Sequence, residues 1–110
     1  MENIIFQKTQ DEQGQISGIA ISGLLVLENS QELKKQFLGV TDCLSNRVKI
    51  TVSNVSEIDL SCIQLFMVFI KHMNVAHVAY QFEWNLDEDQ KTLLENVGSS
   101  NELILNNSYA

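Results

Sequence analysis

The sequence predicts a single α/β domain over residues 1–110, built on a mainly parallel sheet of four to five strands with helices packed mostly on one face. Segments with strand periodicity alternate with segments of helical spacing in the order β, β, α, β, α, β, α. Successive right-handed crossovers between parallel strands place their helices on one side of the sheet. A length of 110 residues suits one domain, and the apolar fraction of 45% is enough for an ordinary core.

The first part of the chain predicts two strands joined by a turn. Residues 4–9 are apolar and then alternating, which indicates a strand, and residues 11–14 read Asp-Glu-Gln-Gly, a turn sequence. Residues 15–27 are rich in β-branched residues and predict a strand or a bent pair of strands. Gly18 and Gly23 interrupt this segment, and each predicts a bulge or a close backbone approach.

A capped amphipathic helix is predicted next. Asn29 is the expected cap, and Glu32 three residues later completes a capping-box pattern. The helix is expected to end near Ser45. Its buried face is marked by apolar residues at spacings of four, three and four, namely Leu33, Phe37, Val40 and Leu44.

The middle of the chain predicts a strand, a loop and the most apolar helix. Residues 47–53 alternate apolar and polar side chains, and residues 53–59 are expected to form a polar loop. In the helix predicted over 61–74, the polar residues are confined to a narrow stripe that also carries Val68. A helix of this kind is buried over most of its circumference.

The last third of the chain predicts a strand over 75–82, a further helix and a short final element. Asn85 and Glu88 repeat the capping pattern, and Gly98 is expected to close the helix. Residues 103–105 predict a short strand or helical turn. The inner face of the helix is expected to consist of Leu86, Leu93, Leu94 and Val97.

The charge balance narrows the possible partners. Fourteen acidic against seven basic residues give a net charge of −7, which argues against nucleic acid and against anionic lipid as ligands. The N-terminus does not resemble a signal peptide, and the longest apolar run, residues 65–70, is too short to span a bilayer. We therefore expect a cytoplasmic protein without direct membrane insertion, in which Cys43 and Cys62 are reduced.

One segment resembles a known family. The residues Asp59-Leu60-Ser61-Cys62-Ile63, continued by Gln64-Leu65, lie where a strand is expected to meet a helix. This motif resembles the strand-to-helix junction of STAS domains (sulfate transporter and anti-sigma factor antagonist). The chain length, the element order and the glycine-containing second strand, at Gly23, are also similar to that family.

The resemblance implies a regulatory binding domain. In anti-sigma factor antagonists, the unphosphorylated form binds a serine-kinase anti-sigma factor, which phosphorylates the serine, and transcription is regulated in this way. Ser61 would be the phosphorylated residue, and Asp59 would orient its hydroxyl or hold the loop. We expect Ser61 to lie exposed at the helix start, on the same rim as Asp59. The expected partner-binding residues are Asp59, Ser61 and Cys62. Helical spacing extends this surface down the exposed stripe of the helix to Gln64, Val68 and Lys71, which follow Ser61 at spacings of three, four and three.

A second reading of the same resemblance is a cytoplasmic STAS subunit of a lipid-transport ABC system that binds its ATPase. In such subunits the serine contacts the ATPase without being phosphorylated. Three departures from the family pattern keep this alternative open: Thr51 in place of an Asp, Leu60 in place of a small residue, and Cys62 in place of a Gly.

The residues themselves also allow plainer roles. Asp59 or Ser61 can simply cap a helix. Cys62 at a helix start is a weak candidate nucleophile, and its spacing from His72 and His77 does not suit a metal site. The acidic run at 87–89 suits the first turn of a helix. We expect no catalytic residue, metal or cofactor.

Overall fold

The computed structural model describes residues 3–97, which form one α/β domain whose elements follow the predicted order. Residues 98–110 include the predicted closing Gly98 and the short element at 103–105, and both lie outside the described part. The strands are β1 (Ile4–Gln10), β2 (Ile16–Leu25), β3 (Leu44–Ile58) and β4 (Ala79–Trp84). The helices are α1 (Leu27–Val40), α2 (Leu60–Val75) and α3 (Glu88–Val97).

The four strands form one sheet in the order β1-β2-β3-β4. β1 is antiparallel to β2, while β2 with β3 and β3 with β4 pair in parallel. The short turn after β1 permits only an antiparallel partner, whereas the helical crossovers α1 and α2 permit parallel ones. The sheet is therefore mixed and mainly parallel, as predicted.

One face of the sheet is buried under the helices and the other is open. On the open face Lys49 and Glu83 form an ion pair of 3.6 Å, in which both side chains are about half exposed. Such a pair contributes little to stability. On the covered face, α1 contacts α2 through Phe37 and Phe69, whose ring centroids lie 4.3 Å apart, and α3 adds Leu94 to the same core. The strands contribute buried residues including Ile19, Ile21, Val48, Ile50, Val52, Tyr80 and Phe82.

The predicted cap of α1 is wrong. The helix begins at Leu27, and Val26 occupies the cap position without a side-chain hydrogen bond to the helix. Asn29 lies inside the first turn, where its Nδ2 donates to the carbonyl of Leu24 at 2.8 Å. Glu32 accepts a hydrogen bond from Gln36 instead of closing a capping box. The capping pattern was present in the sequence but was not used, because a group from elsewhere in the chain caps α1.

The ends of two central elements also differ from the prediction. α1 stops at Val40, and Leu44 belongs to β3 rather than to the helix face. β3 continues to Ile58, so the predicted polar loop at 53–59 is wrong. Pairing with β2 extends this strand despite register shifts, and Asn54 adopts a positive φ of 52° within it. These irregularities interrupt the alternation of apolar and polar residues, so the sequence pattern did not indicate a strand here.

α2 agrees with the prediction to within one residue at each end. The helix buries Cys62, Ile63, Phe66, Phe69, Ile70 and Met73. β4 then starts four residues later than predicted, because α2 continues to Val75 and a turn with a positive φ at His77 follows. Among residues 3–97, none of the helices is both long enough and apolar enough to cross a membrane.

α3 has a capping box two residues beyond the predicted one. The Asp87 carboxylate accepts from the backbone N–H of Gln90 at 2.8 Å, and the Gln90 side chain accepts from the N–H of Asp87 at 3.2 Å. The expected cap at Asn85 is therefore wrong, while the predicted inner residues Leu86 and Leu94 are buried. The acidic residues of this segment belong to the first turn of the helix, where they complement its dipole.

The close approach predicted at Gly23 is confirmed. Gly23 has a φ of 104°, and a Cβ added there would collide with the backbone carbonyl oxygen of Asn3. Only glycine fits this position without strain. The approach fixes the beginning of β1 against the end of β2, next to the helix starts described below.

Candidate functional site

The candidate site lies where β3 meets α2, and Asp59 is its centre. Asp59 follows the last residue of β3 in an extended conformation and forms the N-cap of α2. Its Oδ1 accepts hydrogen bonds from the backbone N–H groups of Ser61 at 3.1 Å and of Cys62 at 3.4 Å. These groups have no partner within the helix, so the carboxylate satisfies them. The capping role considered for Asp59 from the sequence is confirmed.

The same carboxylate also caps α1. Its other oxygen, Oδ2, accepts from the backbone N–H of Leu27 at 2.9 Å. The backbone N–H of Asp59 donates to the carbonyl of Leu25 at 3.0 Å, which ties this residue to the end of β2. Val26, at the cap position of α1, has no side-chain acceptor, and Asp59 supplies one. One side chain therefore holds the starts of two neighbouring helices.

Ser61 is the second residue of α2 and lies beside this carboxylate. Its hydroxyl donates to Oδ1 of Asp59 at 2.5 Å, a short charge-assisted hydrogen bond. The sequence predicted an exposed Ser61 on the same rim as Asp59. The two residues are together as predicted, but Ser61 is half-buried rather than exposed.

The hydrogen bonds change the acidity of Asp59. Partial burial acts to raise the pKa of this carboxyl, but the hydrogen bonds from the Ser61 hydroxyl and from the backbone N–H groups of Leu27, Cys62 and Ser61 outweigh it. The pKa of Asp59 therefore lies below its ordinary value, and the site carries a full negative charge at neutral pH.

Cys62 does not lie on the surface, so the expectation that it contacts a partner is not met. Its side chain is fully buried, and its Sγ donates to the carbonyl of Val26 at 3.6 Å. Burial, assisted by the charge of Asp59, raises the pKa of the Cys62 thiol to about 11, although the hydrogen bond with Ser61 acts in the opposite direction. A protonated, inaccessible thiol is a poor nucleophile.

Apolar side chains flank the Asp59–Ser61 pair. Leu27 and Leu60 are the first residues of α1 and α2, and they are 63% and 47% exposed. Their backbones meet at Asp59, so the two side chains form what we call the apolar rim. Together with the half-buried Asp59–Ser61 pair, these two leucines place exposed apolar area beside the shared helix cap.

The remaining predicted residues continue along α2. Gln64, Val68 and Lys71 are all exposed, and Val68 is 63% exposed. They follow Ser61 at spacings of three, four and three, which places them on one side of the helix. We call these three residues the α2 stripe. The structure thus brings five of the six predicted partner-binding residues to one connected surface and excludes Cys62.

Sequence analysis missed three exposed leucines near this surface. Leu27 was assigned to a strand, and Leu60 was treated only as a departure from the family pattern. Leu38 of α1 is 63% exposed and was not considered. The signal available for Leu38 was its position outside the apolar face of α1 marked by Leu33, Phe37 and Val40.

Within residues 3–97 no three His, Cys, Asp or Glu side chains lie close enough together to hold a metal ion. No protein-family model matches the chain, and no curated protein matches it at a significant level. The site presents a serine hydroxyl on a cap shared by α1 and α2, beside exposed apolar residues.

Proposed function

We propose that this chain is a STAS-like regulatory domain of the anti-sigma factor antagonist type, which binds a serine-kinase anti-sigma factor and is switched by phosphorylation of Ser61. The observation that carries the proposal is the hydrogen bond from Ser61 to Asp59 at the shared start of α1 and α2. A modification of this one hydroxyl acts on two helix ends at once. A cytoplasmic location suits a regulator of transcription of this kind.

The physical effect of phosphorylation follows from the contacts of Ser61. A phosphate on its Oγ removes the donated hydrogen bond and adds about −1.5 to −2 charge at neutral pH. The new anion then faces the Asp59 carboxylate, which is itself bonded to the N–H of Leu27. Repulsion between the two anions weakens the contacts that hold Leu27 and Leu60 in place. The switch thus alters both the charge and the shape of the apolar rim.

The partner surface consists of the apolar rim together with the α2 stripe. Leu27, Leu60 and Val68 supply exposed apolar area, while Gln64 and Lys71 supply polar contacts. Interfaces commonly combine apolar anchors with a polar surround. The unphosphorylated serine lies at the edge of this surface, where a bulky anion would interfere with a bound partner.

A second candidate function has one observation in its favour. The Ser61 hydroxyl is half-buried and already bonded to Asp59, which suits a constant contact as well as a phosphorylation site. The chain would then be the cytoplasmic STAS subunit of a lipid-transport ABC system and would bind the ATPase through the same surface without a phosphate switch.

The test is an in vitro phosphorylation assay. The chain is incubated with ATP and a purified serine-kinase anti-sigma factor from the same genome, and the modified residue is located by mass spectrometry. We expect phosphate on Ser61, none in Ser61→Ala, and unchanged labelling in Ser56→Ala, which removes an exposed hydroxyl of β3 as a matched control.

Binding measurements separate the two candidates. Under the first, Ser61→Asp weakens binding of the anti-sigma factor by on the order of tenfold or more, and Ser61→Ala preserves it. Binding to a transporter ATPase with equal affinity for both variants, together with no labelling of Ser61, would instead establish the second function.

A further inference from the structure

A groove runs between α1 and α2 beside the α2 stripe, and its volume is about 350 Å³. Four lining residues lie between Lys34 and Thr41, on α1 and at the cap that follows it, and four lie on α2 between Leu65 and His72. The seven steps from position 34 to position 41 rise about 10 Å at ~1.5 Å per residue, so the groove accommodates about two turns of a helix.

The interior of the groove is apolar and firmly held. Its floor is the stacked pair Phe37 and Phe69, whose rings are 16° from parallel and almost completely buried. Its walls are Leu38 and Val68, each 63% exposed. A rigid aromatic floor with exposed aliphatic walls leaves apolar area that a partner side chain can cover.

The charges around the groove oppose those of the whole protein. The chain carries fourteen acidic and seven basic residues, yet the two ionisable residues that line the groove, Lys34 and His72, are both basic. Lys71 of the α2 stripe lies next to His72 on the same helix. Within residues 3–97 neither Lys34 nor Lys71 forms an ion pair. Both lysines are therefore available to pair with carboxylates of an acidic partner.

We propose that this groove binds an amphipathic helix of the protein partner, in which acidic residues flank the apolar face. Apolar anchors at spacings of three and four would enter between Leu38 and Val68, and carboxylates beside them would meet Lys34 and Lys71. This is the helix-in-groove mode of recognition, in which shape gives affinity and the flanking charges give selectivity.

A second copy of the chain fits the groove less well. A symmetric contact of two grooves brings Lys34 and Lys71 of both copies to one interface, where no carboxylate among residues 3–97 lines either groove to neutralise them, and uncompensated like charges at an interface cost affinity. The complementary occupant is an acidic helix from a different protein.

The inference rests on the protein-binding function proposed above and names the segment that is bound. It is tested with two synthetic 14-residue helical peptides that share one leucine face, one flanked by Glu and the other by Lys. Binding to the full-length chain is measured by fluorescence anisotropy. We expect the Glu-flanked peptide to bind at least tenfold more tightly than the Lys-flanked peptide. Equal affinities, or no binding of the Glu-flanked peptide at millimolar concentration, would overturn the proposal.

Variants locate the binding to the groove. Leu38→Glu and Val68→Glu should each weaken binding of the Glu-flanked peptide at least tenfold. Ile5→Glu places the same change on a 54% exposed isoleucine of β1, outside the groove, and should alter binding less than twofold. Lys34→Glu should reverse the preference toward the Lys-flanked peptide. Circular dichroism confirms that the variants remain folded, and an unchanged affinity in the folded groove variants would refute the assignment.

Two further measurements identify other occupants. A dimer in solution that Val68→Glu dissociates would make a second copy the occupant and would overturn the proposal. Peptide binding that appears only after residues 98–110 are removed would show that the chain covers its own groove, with the same consequence. The peptide assay contains no kinase or ATPase and leaves Ser61 unchanged, so its failure would leave the phosphorylation test of the proposed function standing.

Discussion

The Asp59 carboxylate accepts a hydrogen bond at 2.9 Å from the backbone N–H of Leu27, a residue 32 positions earlier in the chain. Asp59 also caps its own helix and holds the hydroxyl of Ser61. The starts of α1 and α2 therefore depend on one side chain. A change at the Ser61 hydroxyl would therefore reach both helices through Asp59.

Removing this carboxylate should destabilise the domain. Asp59→Ala leaves helix-end N–H groups of both α1 and α2 without their acceptor, and a lost cap costs about 0.5–2 kcal/mol per helix. We expect the free energy of unfolding, measured by urea denaturation, to fall by about 2–3 kcal/mol. Glu57→Ala, an exposed acid two residues earlier, is the control and should change it by less than about 0.5 kcal/mol. Equal stability of the two variants would refute the double cap.

Acid should remove the stabilisation that Asp59 provides. Its pKa in the folded protein lies below the ordinary value of 3.8, so the unfolded chain binds a proton first as pH falls. The contribution is complete above pH 4 to 5 and is lost as pH decreases through the folded value. The difference in unfolding free energy between wild type and Asp59→Asn should therefore be constant near neutrality and shrink in acid. A difference that increased as pH fell would contradict the lowered pKa of Asp59.

A second negative charge at Ser61 should weaken the same junction. Ser61→Asp removes the hydrogen bond to Asp59 and places a second carboxylate two residues after it, at the start of α2. We expect the free energy of unfolding at pH 7 to fall by about 1–2 kcal/mol. Part of this loss should be recovered near pH 4, where the pair of carboxylates is less ionised. Thermal melting at both pH values measures this loss of stability, and Ser61→Asn serves as the uncharged comparison. If both variants melt alike at pH 7, repulsion at Asp59 is not the cause.

The two cysteines should differ sharply in reactivity. Cys43 is exposed and Cys62 is buried, with burial raising the pKa of the Cys62 thiol to about 11. Ellman's reagent at pH 8 should therefore modify one thiol in the native protein and two in urea. Because the unfolded thiol ionises near 9.0, stability due to Cys62 is complete below that pH and is lost as pH rises toward 11. Cys62→Ala should remove this alkaline dependence.

Two glycines should respond oppositely to alanine. At Gly23 the positive φ and the nearby Asn3 carbonyl leave no room for a Cβ, so Gly23→Ala should cost on the order of 1–3 kcal/mol. Gly39 lies in α1 with open space around it, and Gly39→Ala should raise stability by about 0.5–1 kcal/mol. Urea denaturation of both variants tests the pair, and destabilisation by Gly39→Ala would contradict the open environment.

Local patterns were enough to predict the kind and order of the elements. The apolar spacing of α2 predicted its bounds to within one residue, and the alternation around Val48 and Ile50 predicted the core of β3. Periodicity of this kind depends only on which side of an element is buried. The sequence also predicted the place of Asp59 and Ser61 at a helix start and the exposure of Val68, because these depend on neighbours within a few residues.

Tertiary structure decided what depends on contacts between distant parts of the chain. The capping pattern at Asn29 was not used, because α1 begins at Leu27 and the Asp59 carboxylate, which follows β3, accepts the hydrogen bond from the Leu27 N–H. Pairing with β2 extended β3 through residues that read as a loop, and packing of α2 buried Cys62 beneath Val26. The sequence by itself determined the kind and order of the elements and the place of Asp59 and Ser61, since these follow from local spacing. Only the packing of the elements in space determined which side chains meet, because hydrogen bonds and burial depend on neighbours in space.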